Sequence, residues 1–365
     1  MSSLRVAVIG AGHLGQIHAR LLPQISNVEL IAVADPSPMA QKKTLETHDV
    51  PVISDFRKLI GEIDAAVVAT PTQFHHPIAM ELLGNSIHTL IEKPVTDDAA
   101  DAFELVQTAD KNNCVLSVGH VEQFNPAIRS ATEKVGTPKF IQASRMSGYT
   151  YRSIDIGVVY DLMIHDIDLV NTLFPGEMVD CKAAGFSMFG GNEDMAQARL
   201  QFSCGGVANL TASRASFNPA REFQIFGTDG FAGVDLVTGT VQAIEVPNWV
   251  RQRQFDFLSA NAEQQTFVRE NLFSKVLPKS EEQVASSNAI LAEQKNWIDA
   301  ICNGAKLRNT GANGAVAVEI AGKVLEQIDQ HQWLPGDLPG PLVTPEGGLQ
   351  DNLPVPLQDT SQNAA

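Results

Sequence analysis

The chain has 365 residues and a formal net charge of −16, from 26 basic and 42 acidic residues. Its length exceeds that of one average domain and predicts two. The negative charge argues against non-specific binding to nucleic acid or to an anionic membrane surface, because both require a positive field. No apolar stretch approaches the roughly 18 residues of a membrane-spanning helix, and the apolar start breaks at two glycines without a cleavage site. We therefore expect a soluble protein.

The four cysteines are widely separated and form no CxxC pair: Cys114, Cys181, Cys204 and Cys302. This spacing predicts neither a metal site nor a disulfide framework. Free thiols persist in a reducing compartment, so the cysteines indicate a cytoplasmic protein.

Short apolar runs alternate with helical patterns over the first 120 residues. Strands are predicted at residues 5–9, 29–34, 51–53, 65–69, 88–91 and 115–118, and helices at 13–22, 38–47, 76–84 and 97–112. Strands rich in Val, Ile and Ala that alternate with helices indicate a parallel sheet covered on both faces. We predict an α/β fold, with a doubly wound parallel sheet in residues 1–122.

The pattern changes after residue 122. A strand is predicted at 139–147, a helix at 157–173, further strands at 180–188, 195–202, 207–213, 222–227 and 232–236, and helices at 280–303 and 314–332. Closely spaced strands with Gly-containing turns indicate a large, open, mostly antiparallel sheet with helices on one face, so residues 123–334 are predicted to form an α+β domain. Residues 335–365 have six prolines and no Lys or Arg, which predicts a disordered tail or an arm against a neighbouring subunit.

A glycine pattern directly follows the first predicted strand. Gly10, Gly12 and Gly15, with His13 and Leu14 between the last two, match GxGxxG. The motif alone is weak, because three glycines could simply form a turn. Between a strand and a helix, the first glycine permits a tight turn, the second lets backbone N–H groups approach a pyrophosphate, and the third allows close helix–strand packing. The position predicts dinucleotide binding.

An acidic residue ends the second predicted strand. Asp35 lies twenty residues after Gly15, where a carboxylate accepts hydrogen bonds from the ribose hydroxyls of adenosine. The same charge would repel the 2′-phosphate of NADP, and the next basic residue is Lys42. These features favour NAD over NADP.

Two further patches follow strands of the first half. Thr70 and Pro71, with His75 soon after, follow the fourth strand, and Glu92 and Lys93 follow the fifth. Ligands of an open α/β sheet bind beyond the carboxyl ends of the strands, so both patches are expected at the cofactor crevice. A lone Lys is usually a solvated surface charge, but a strand end and a proline hold Lys93 in place, which favours a functional role.

A third patch lies in the helix predicted at 157–173. The spacing places Asp161, His165 and Asp168 on one face of an α-helix, whereas Asp166 points elsewhere. Such a face could hold a metal ion or be a plain charge pattern with a hydrogen-bonded His. Alcohol oxidation needs a base with a pKa of about 7, which His supplies, so we favour a catalytic base and expect no metal.

Together these residues resemble the Gfo/Idh/MocA oxidoreductases, and the resemblance covers residues 4 to about 330. It implies a Rossmann domain followed by an α/β domain whose open sheet commonly mediates oligomerisation, here as a homodimer or homotetramer. It also implies an NAD site formed by Gly10, Gly12, His13, Leu14, Gly15, Asp35, Thr70, Pro71, His75, Glu92, Lys93 and His120.

The same resemblance implies a catalytic group. His165 would take the hydroxyl proton as hydride leaves the adjacent carbon for the nicotinamide. Lys93 would hydrogen-bond the same oxygen, and Asp161 would orient both side chains and balance their charge. All three are also expected to contact the substrate.

Finer motifs resemble the branch of UDP-N-acetylglucosamine 3-dehydrogenases. They lie at residues 118–126 and 152–168, and relatives commonly carry Arg where this chain has Gln123. The branch implies a UDP-sugar substrate, whose diphosphate needs cations. Three arginines are candidates, unless they are ordinary surface residues: Arg152, Arg214 and Arg221.

Two other functions remain open. A dehydrogenase of free sugars or inositols would need no arginines for a diphosphate. An NAD-dependent glycosidase, or a regulatory NAD-binding module of the same fold, belongs to a different class. The intact Lys93, Asp161 and His165 argue against a purely regulatory role.

Overall fold

The computed structural model describes residues 3–150, 156–189 and 191–331, which form two sheets and the helices that pack on them. The first sheet has six strands, all parallel, in the order β3-β2-β1-β4-β5-β6. They are β1 Leu4–Ile9, β2 Val28–Ala34, β3 Val52–Ile53, β4 Ala65–Val68, β5 His88–Ile91 and β6 Leu116–Val118. This doubly wound order confirms the fold class predicted for the first half, and its strand order reverses between β1 and β4.

Both faces of the first sheet are buried. Ala7 and Ile9 pack into one core, and Val6 and Val8 into a second core on the other face. Every residue of β4 is buried, as expected for a parallel strand between two helical layers. The helices between the strands are α1 His13–Leu21, α2 Pro38–Thr47, α3 His75–Gly84 and α4 Ala99–Lys111.

The second sheet has eight strands in the order β14-β13-β12-β11-β7-β10-β9-β8. Neighbours are antiparallel except for β7 and β10, which are parallel. The strands are β7 Pro138–Met146, β8 Met178–Phe186, β9 Met195–Phe202, β10 Val207–Ser213, β11 Ala220–Gly227, β12 Gly230–Asp235, β13 Thr240–Glu245 and β14 Lys279–Gln283. The mostly antiparallel sheet predicted for the second half is confirmed.

Helices cover one face of this sheet and leave the other open. Along β9, Ala198 and Leu200 are buried, whereas Arg199 and Gln201 are exposed. The buried face packs against α5 Pro126–Val135, α6 Ile164–Leu173 and α10 Gly311–Gln330. The alternation of buried and exposed residues along β9 therefore shows which face of the sheet the helices cover.

The helix predicted at 280–303 is wrong in its first part. Lys279–Gln283 is the edge strand β14, paired with β13, and helix α9 runs only over Ala289–Asn303, after the cap Asn288. An edge strand of charged and polar residues lacks the apolar alternation that marks a strand. Four further elements were not predicted from the sequence: β13, α5, and the short helices α7 Asn248–Arg251 and α8 Ala262–Asn271.

Helix α9 packs on the first sheet, although it follows the second sheet in the chain. Trp297 and Ile298 lie in the same core as Val6, Val8 and Ala65. Residues on both sides of the boundary predicted at 122 therefore build the first sheet's core, and that boundary stays a prediction. The tail predicted at 335–365 lies outside the described residues. None of the described helices combines the length and hydropathy that a membrane crossing requires.

Neighbouring residues of β9 test the burial pattern. Leu200→Ala should lower the free energy of unfolding by about 2–5 kcal/mol, because it opens a cavity in the covered face. Gln201→Ala on the open face should change it by no more than about 0.5 kcal/mol. Urea unfolding followed by circular dichroism measures both values, and equal losses would contradict the assignment of the two faces.

Candidate active site

The glycine turn joins β1 to α1 by close backbone contacts. Gly10 has φ +97°, and a Cβ on it would lie 2.5 Å from the carbonyl oxygen of Ala69. A Cβ on Gly15 would lie 1.9 Å from the carbonyl oxygen of Gly10. A Cβ on Gly12 would meet nothing within 4 Å, so open space lies there before the first turn of α1. That space, beside unpaired N–H groups at a helix start, suits a pyrophosphate.

Asp35 braces this turn from the end of β2. Its carboxylate accepts hydrogen bonds from the backbone N–H of Ala11 and of Ser37, each at 2.8 Å. Asp35 also lines a crevice of about 670 Å³ together with Gly10, Gly12 and the Thr70-Pro71 segment. A carboxylate at one end and an open glycine turn at the other fit a dinucleotide. Of the residues predicted for the cofactor, the crevice brings together Gly10, Gly12, Asp35, Thr70 and Pro71.

Arg57 also lines the crevice, and the sequence analysis missed it. It follows β3 and lies over the ring of Phe56, with ion pairs to Asp55 at 3.4 Å and Glu81 at 3.0 Å. No motif marks this position, because Arg57 reaches the crevice only through the folded order of the sheet.

His75 connects the ends of β4 and β5. Its ring is buried, with Nδ1 2.9 Å from the carbonyl oxygen of Pro94 and Nε2 2.8 Å from that of Thr70. Burial lowers the pKa of His75 below its ordinary value, against the pull of the two carbonyl groups. His75 therefore supports the crevice through the segments on either side.

Glu92 lies under the crevice in a buried hydrogen-bonded chain. His18 Nε2 is 2.8 Å from its carboxylate, and Gln294 of α9 is 2.8 Å from the other ring nitrogen of His18. Burial opposes the charge on Glu92, but the hydrogen bond and charge of His18 outweigh it and hold the pKa of Glu92 below its ordinary value. The sequence predicted a role for Glu92 but not for His18, its partner, or for Gln294, the partner of His18.

Lys93 reaches from the end of β5 to the C-terminal half of the chain. Its Nζ donates to the backbone carbonyl of Asp161 at 2.7 Å and lies 3.1 Å from the carboxylate of the same residue. Both side chains are largely buried, with 16% and 24% of their surface exposed. This contact joins the cofactor crevice to the segment that carries His165.

The helix predicted at 157–173 is wrong over its first turns. Val159–Met163 is π-helical, and α6 begins at Ile164. A π-helical turn holds an extra residue, so the α-helical spacing between Asp161 and His165 does not apply. Asp161 pairs with Lys93, whereas both carboxylate oxygens of the buried Asp168 accept from the side-chain amide of Gln123 at 2.9 Å.

His165, the predicted base, lies in a desolvated and positively charged environment. Within the described residues its Nδ1 is buried without a hydrogen-bond partner. Burial lowers the pKa of His165 well below its ordinary range, and the positive charges of Lys93 and Arg145 lower it further. The imidazole is therefore neutral at neutral pH, but it is a weaker proton acceptor than the base with a pKa of about 7 that the sequence predicts.

His120, predicted to contact the cofactor, is buried. Neither of its ring nitrogens has a hydrogen-bond partner in the described part of the chain. Burial lowers the pKa of His120, while the charge of Asp168 opposes that shift. The charges of Lys93 and Glu92 also act on His120.

No metal-ligating group forms from Asp161, His165 and Asp168 in the described residues. The one cluster there with ligand spacing is His76, Asp101 and Glu104, on α3 and α4.

The three arginines proposed for a diphosphate have different environments. Arg152 lies outside the described residues. Arg214 is buried, forms an ion pair with Asp194 and donates to the carbonyl of Ile156 at 2.8 Å, so its charge is balanced within the fold. Arg221 is exposed at the start of β11, and its charge acts on His165.

Three glycines test the dinucleotide turn. Gly12→Ala should raise the Kd for NAD about tenfold or more, because a methyl group fills the open space, while the free energy of unfolding changes by about 0.5 kcal/mol at most. Gly15→Ala should weaken NAD binding and also lower the free energy of unfolding, because its Cβ collides with the Gly10 carbonyl. Gly84→Ala in α3, where a Cβ meets nothing, is the control. Unchanged NAD binding by calorimetry in Gly12→Ala would contradict the placement.

Family models and relatives agree with this geometry. The model of the Gfo/Idh/MocA oxidoreductase family with an NAD-binding Rossmann fold matches residues 4–120, and that of its C-terminal domain matches residues 127–232. UDP-N-acetylglucosamine 3-dehydrogenase of Acidithiobacillus ferrooxidans is 36% identical over 242 residues, covering 66% of this chain and 77% of that protein. Myo-inositol 2-dehydrogenase of Thermotoga maritima is 25% identical over 256 residues, covering 65% and 77%.

Solved structures extend the likeness over most of the chain. The Acidithiobacillus ferrooxidans enzyme superposes with a TM-score of 0.78 at 30% identity, covering 90% of this chain and 99% of that one. Levoglucosan dehydrogenase in complex with NADH superposes with a TM-score of 0.75 at 17% identity, covering 90% and 98%, and shows the fold alone. This chain belongs to the Gfo/Idh/MocA family of oxidoreductases, with NAD as its cofactor.

Proposed function

We propose that this enzyme oxidises a secondary alcohol of a nucleotide sugar to a ketone, with the 3-hydroxyl of UDP-N-acetylglucosamine or a close relative as substrate. The observation that carries the proposal is the contact of Lys93 with Asp161, together with the effect of the Lys93 charge on His165, at the carboxyl end of strand β5. NAD, when bound, accepts the hydride that leaves the carbon bearing the hydroxyl.

His165 is the base in this proposal. As the carbon–oxygen bond becomes a carbonyl, the hydroxyl proton moves to the imidazole. Burial and the nearby positive charges keep His165 unprotonated at neutral pH, so the acceptor is free when substrate binds. The low pKa also favours return of the proton to solvent after the reaction.

Lys93 stabilises the oxygen while its proton leaves. The ammonium group has three donors, of which one points to the Asp161 carbonyl and one to its carboxylate. The third remains for the substrate oxygen, where negative charge develops. Asp161 fixes the direction of that donor, and the low exposure of the pair strengthens the interaction.

Two observations favour a nucleotide sugar over a free sugar. The relative named UDP-N-acetylglucosamine 3-dehydrogenase is 36% identical, against 25% for the inositol dehydrogenase of Thermotoga maritima. In addition, Arg221 presents a positive charge near His165, which a neutral sugar does not require. Arg152 remains a proposed diphosphate contact, whereas Arg214 serves the fold through Asp194.

A substrate panel tests this function. UDP-N-acetylglucosamine should give NADH, with the ketone at carbon 3 of the sugar by NMR, and free N-acetylglucosamine and inositols should not. His165→Asn should abolish NADH formation while NAD still binds. His76→Asn, at a partly exposed position of α3 where the imidazole pairs with Glu104, is the matched control and should keep full activity. Turnover of free cyclitols alone, or release of a free sugar without NADH, would overturn the proposal.

We also propose that the open face of the second sheet pairs subunits into a homodimer or homotetramer. Three aromatic rings cluster on this face, with Phe226 at 5.8 Å from Phe140 and 4.6 Å from Phe231, measured between ring centroids. Phe226 is 42% exposed, and an apolar cluster on an otherwise open sheet supports an interface.

Sedimentation velocity tests this interface. Phe226→Asp should convert the oligomer to a smaller species, because an uncompensated charge would be buried between subunits. Leu45→Asp, an equally apolar exposed position on α2, should leave the mass unchanged. A monomeric wild-type enzyme, or an oligomer that tolerates Phe226→Asp, would contradict the proposal.

A cytoplasmic location is proposed for the same enzyme. All four cysteines are free thiols, two of them exposed. Exposed thiols persist in a reducing compartment.

A further inference from the structure

Two arginines lie directly opposite each other on neighbouring strands. Arg145 of β7 pairs in register with Arg221 of β11. Opposite residues of an antiparallel pair project to the same face, with Cβ atoms about 5 Å apart, and like charges there are destabilising. Both side chains project to the face that α6 covers, since Ala143 and Phe223, two residues along, are buried there. The juxtaposition needs negative charge to offset it.

Arg145 has its negative charge within the fold. It is 4% exposed, and its guanidinium contacts Asp166 of α6 at 2.9 Å and Glu122 at 2.9 Å. These contacts tie β7 to the residue next to His165. Arg145 therefore sets the distance between strand β7 and the catalytic base.

Arg221 has no such partner. Among the described residues it forms no ion pair and no side-chain hydrogen bond, and it is exposed. Its charge nevertheless acts on both His165 and Asp166. Arg221 is therefore a cation without an ion-pair partner among the described residues, and its charge acts on His165. On a chain with net charge −16, such a cation favours the binding of an anion.

We infer that Arg221 anchors a phosphate group of the substrate, and that Arg145, held by Asp166 and Glu122, is the positioning residue that keeps this anchor at a fixed distance from His165. The inference rests on the proposed function and deepens it. The enzyme then selects substrates in which the distance between a phosphate and the oxidised carbon matches the distance between Arg221 and His165. A neutral sugar satisfies the base but leaves Arg221 unpaired.

Asp166 gives this anchor a pH dependence. Burial raises the pKa of Asp166 to about 6. The charge of Glu122 also raises this pKa, whereas the charges of Arg145 and Arg221 lower it. The charges of the two arginines, Glu122 and Asp166 sum to zero when Asp166 is ionised. They sum to one positive charge when Asp166 is protonated. A phosphate should therefore bind more tightly as pH falls through about 6, the reverse of what loss of a general base would cause.

Calorimetry on the NADH complex tests the inference without turnover, because sugar and cofactor are then both reduced. UDP-N-acetylglucosamine keeps its diphosphate charge over this range. Its affinity should rise about three- to tenfold from about pH 7.5 to about pH 5.5. In Asp166→Asn the affinity should be high and independent of pH, because asparagine still accepts the Arg145 hydrogen bond without the charge.

Arginine variants locate the anchor. Arg221→Ala should lower the affinity about tenfold or more, and Arg221→Lys should restore part of it. Arg269→Ala, an exposed arginine of α8, is the matched control and should match the wild type. Circular dichroism confirms folding of each variant. Wild-type affinity in Arg221→Ala, or an unchanged pH profile in Asp166→Asn, would overturn the inference.

Inorganic sulfate separates this inference from the proposed function. Its charge is constant over the same pH range, and it should stabilise the wild type more than Arg221→Ala in thermal unfolding. If UDP-N-acetylglucosamine fails to bind but this difference remains, the proposed substrate is wrong and the anchor stands. If the difference is absent, the anchor is wrong even when the nucleotide sugar is oxidised.

Discussion

The proposed active site depends on one ion pair between distant parts of the chain, that of Lys93 and Asp161. Taking two charges out of water is costly, and the pair is stable only because geometry and extra hydrogen bonds offset that cost. Here the Asp161 carbonyl supplies the extra acceptor at 2.7 Å, at a π-helical turn. The position of His165 follows, because α6 begins directly after that turn.

Much of the fold could be predicted because it follows apolar periodicity. Buried strands such as β4 consist of Val and Ala, and their burial on both faces shows in composition alone. β14 could not be found this way, because Lys279–Gln283 is an exposed edge strand defined only by its pairing with β13. The π-helical turn at Val159–Met163 is equally hidden, since its sequence also suits an α-helix.

The candidate site likewise contains residues that could be predicted from the sequence and residues that could not. Gly10, Lys93 and His165 could be predicted because the local sequence indicates a function for each residue type. Gly10 and Lys93 follow predicted strands, and His165 lies on the face of a predicted helix. His18 and Arg145 have no such context. His18 lies 74 residues from Glu92 and 276 from Gln294, and Arg145 lies 21 residues from Asp166. Only tertiary structure brings these partners together, and the same holds for the ion pair that occupies Arg214.

Helix α9 has a consequence for the order of events during synthesis. Trp297 and Ile298 fill one face of the sheet whose first strand begins at Leu4, and Trp297 is fully buried there. Domains usually fold as their chain emerges from the ribosome, N-terminal first. This dinucleotide-binding sheet must wait with one apolar face incompletely covered until nearly three hundred residues have been made. The nascent chain therefore passes through a long interval in which Trp297 and Ile298 do not yet cover Val6 and Val8.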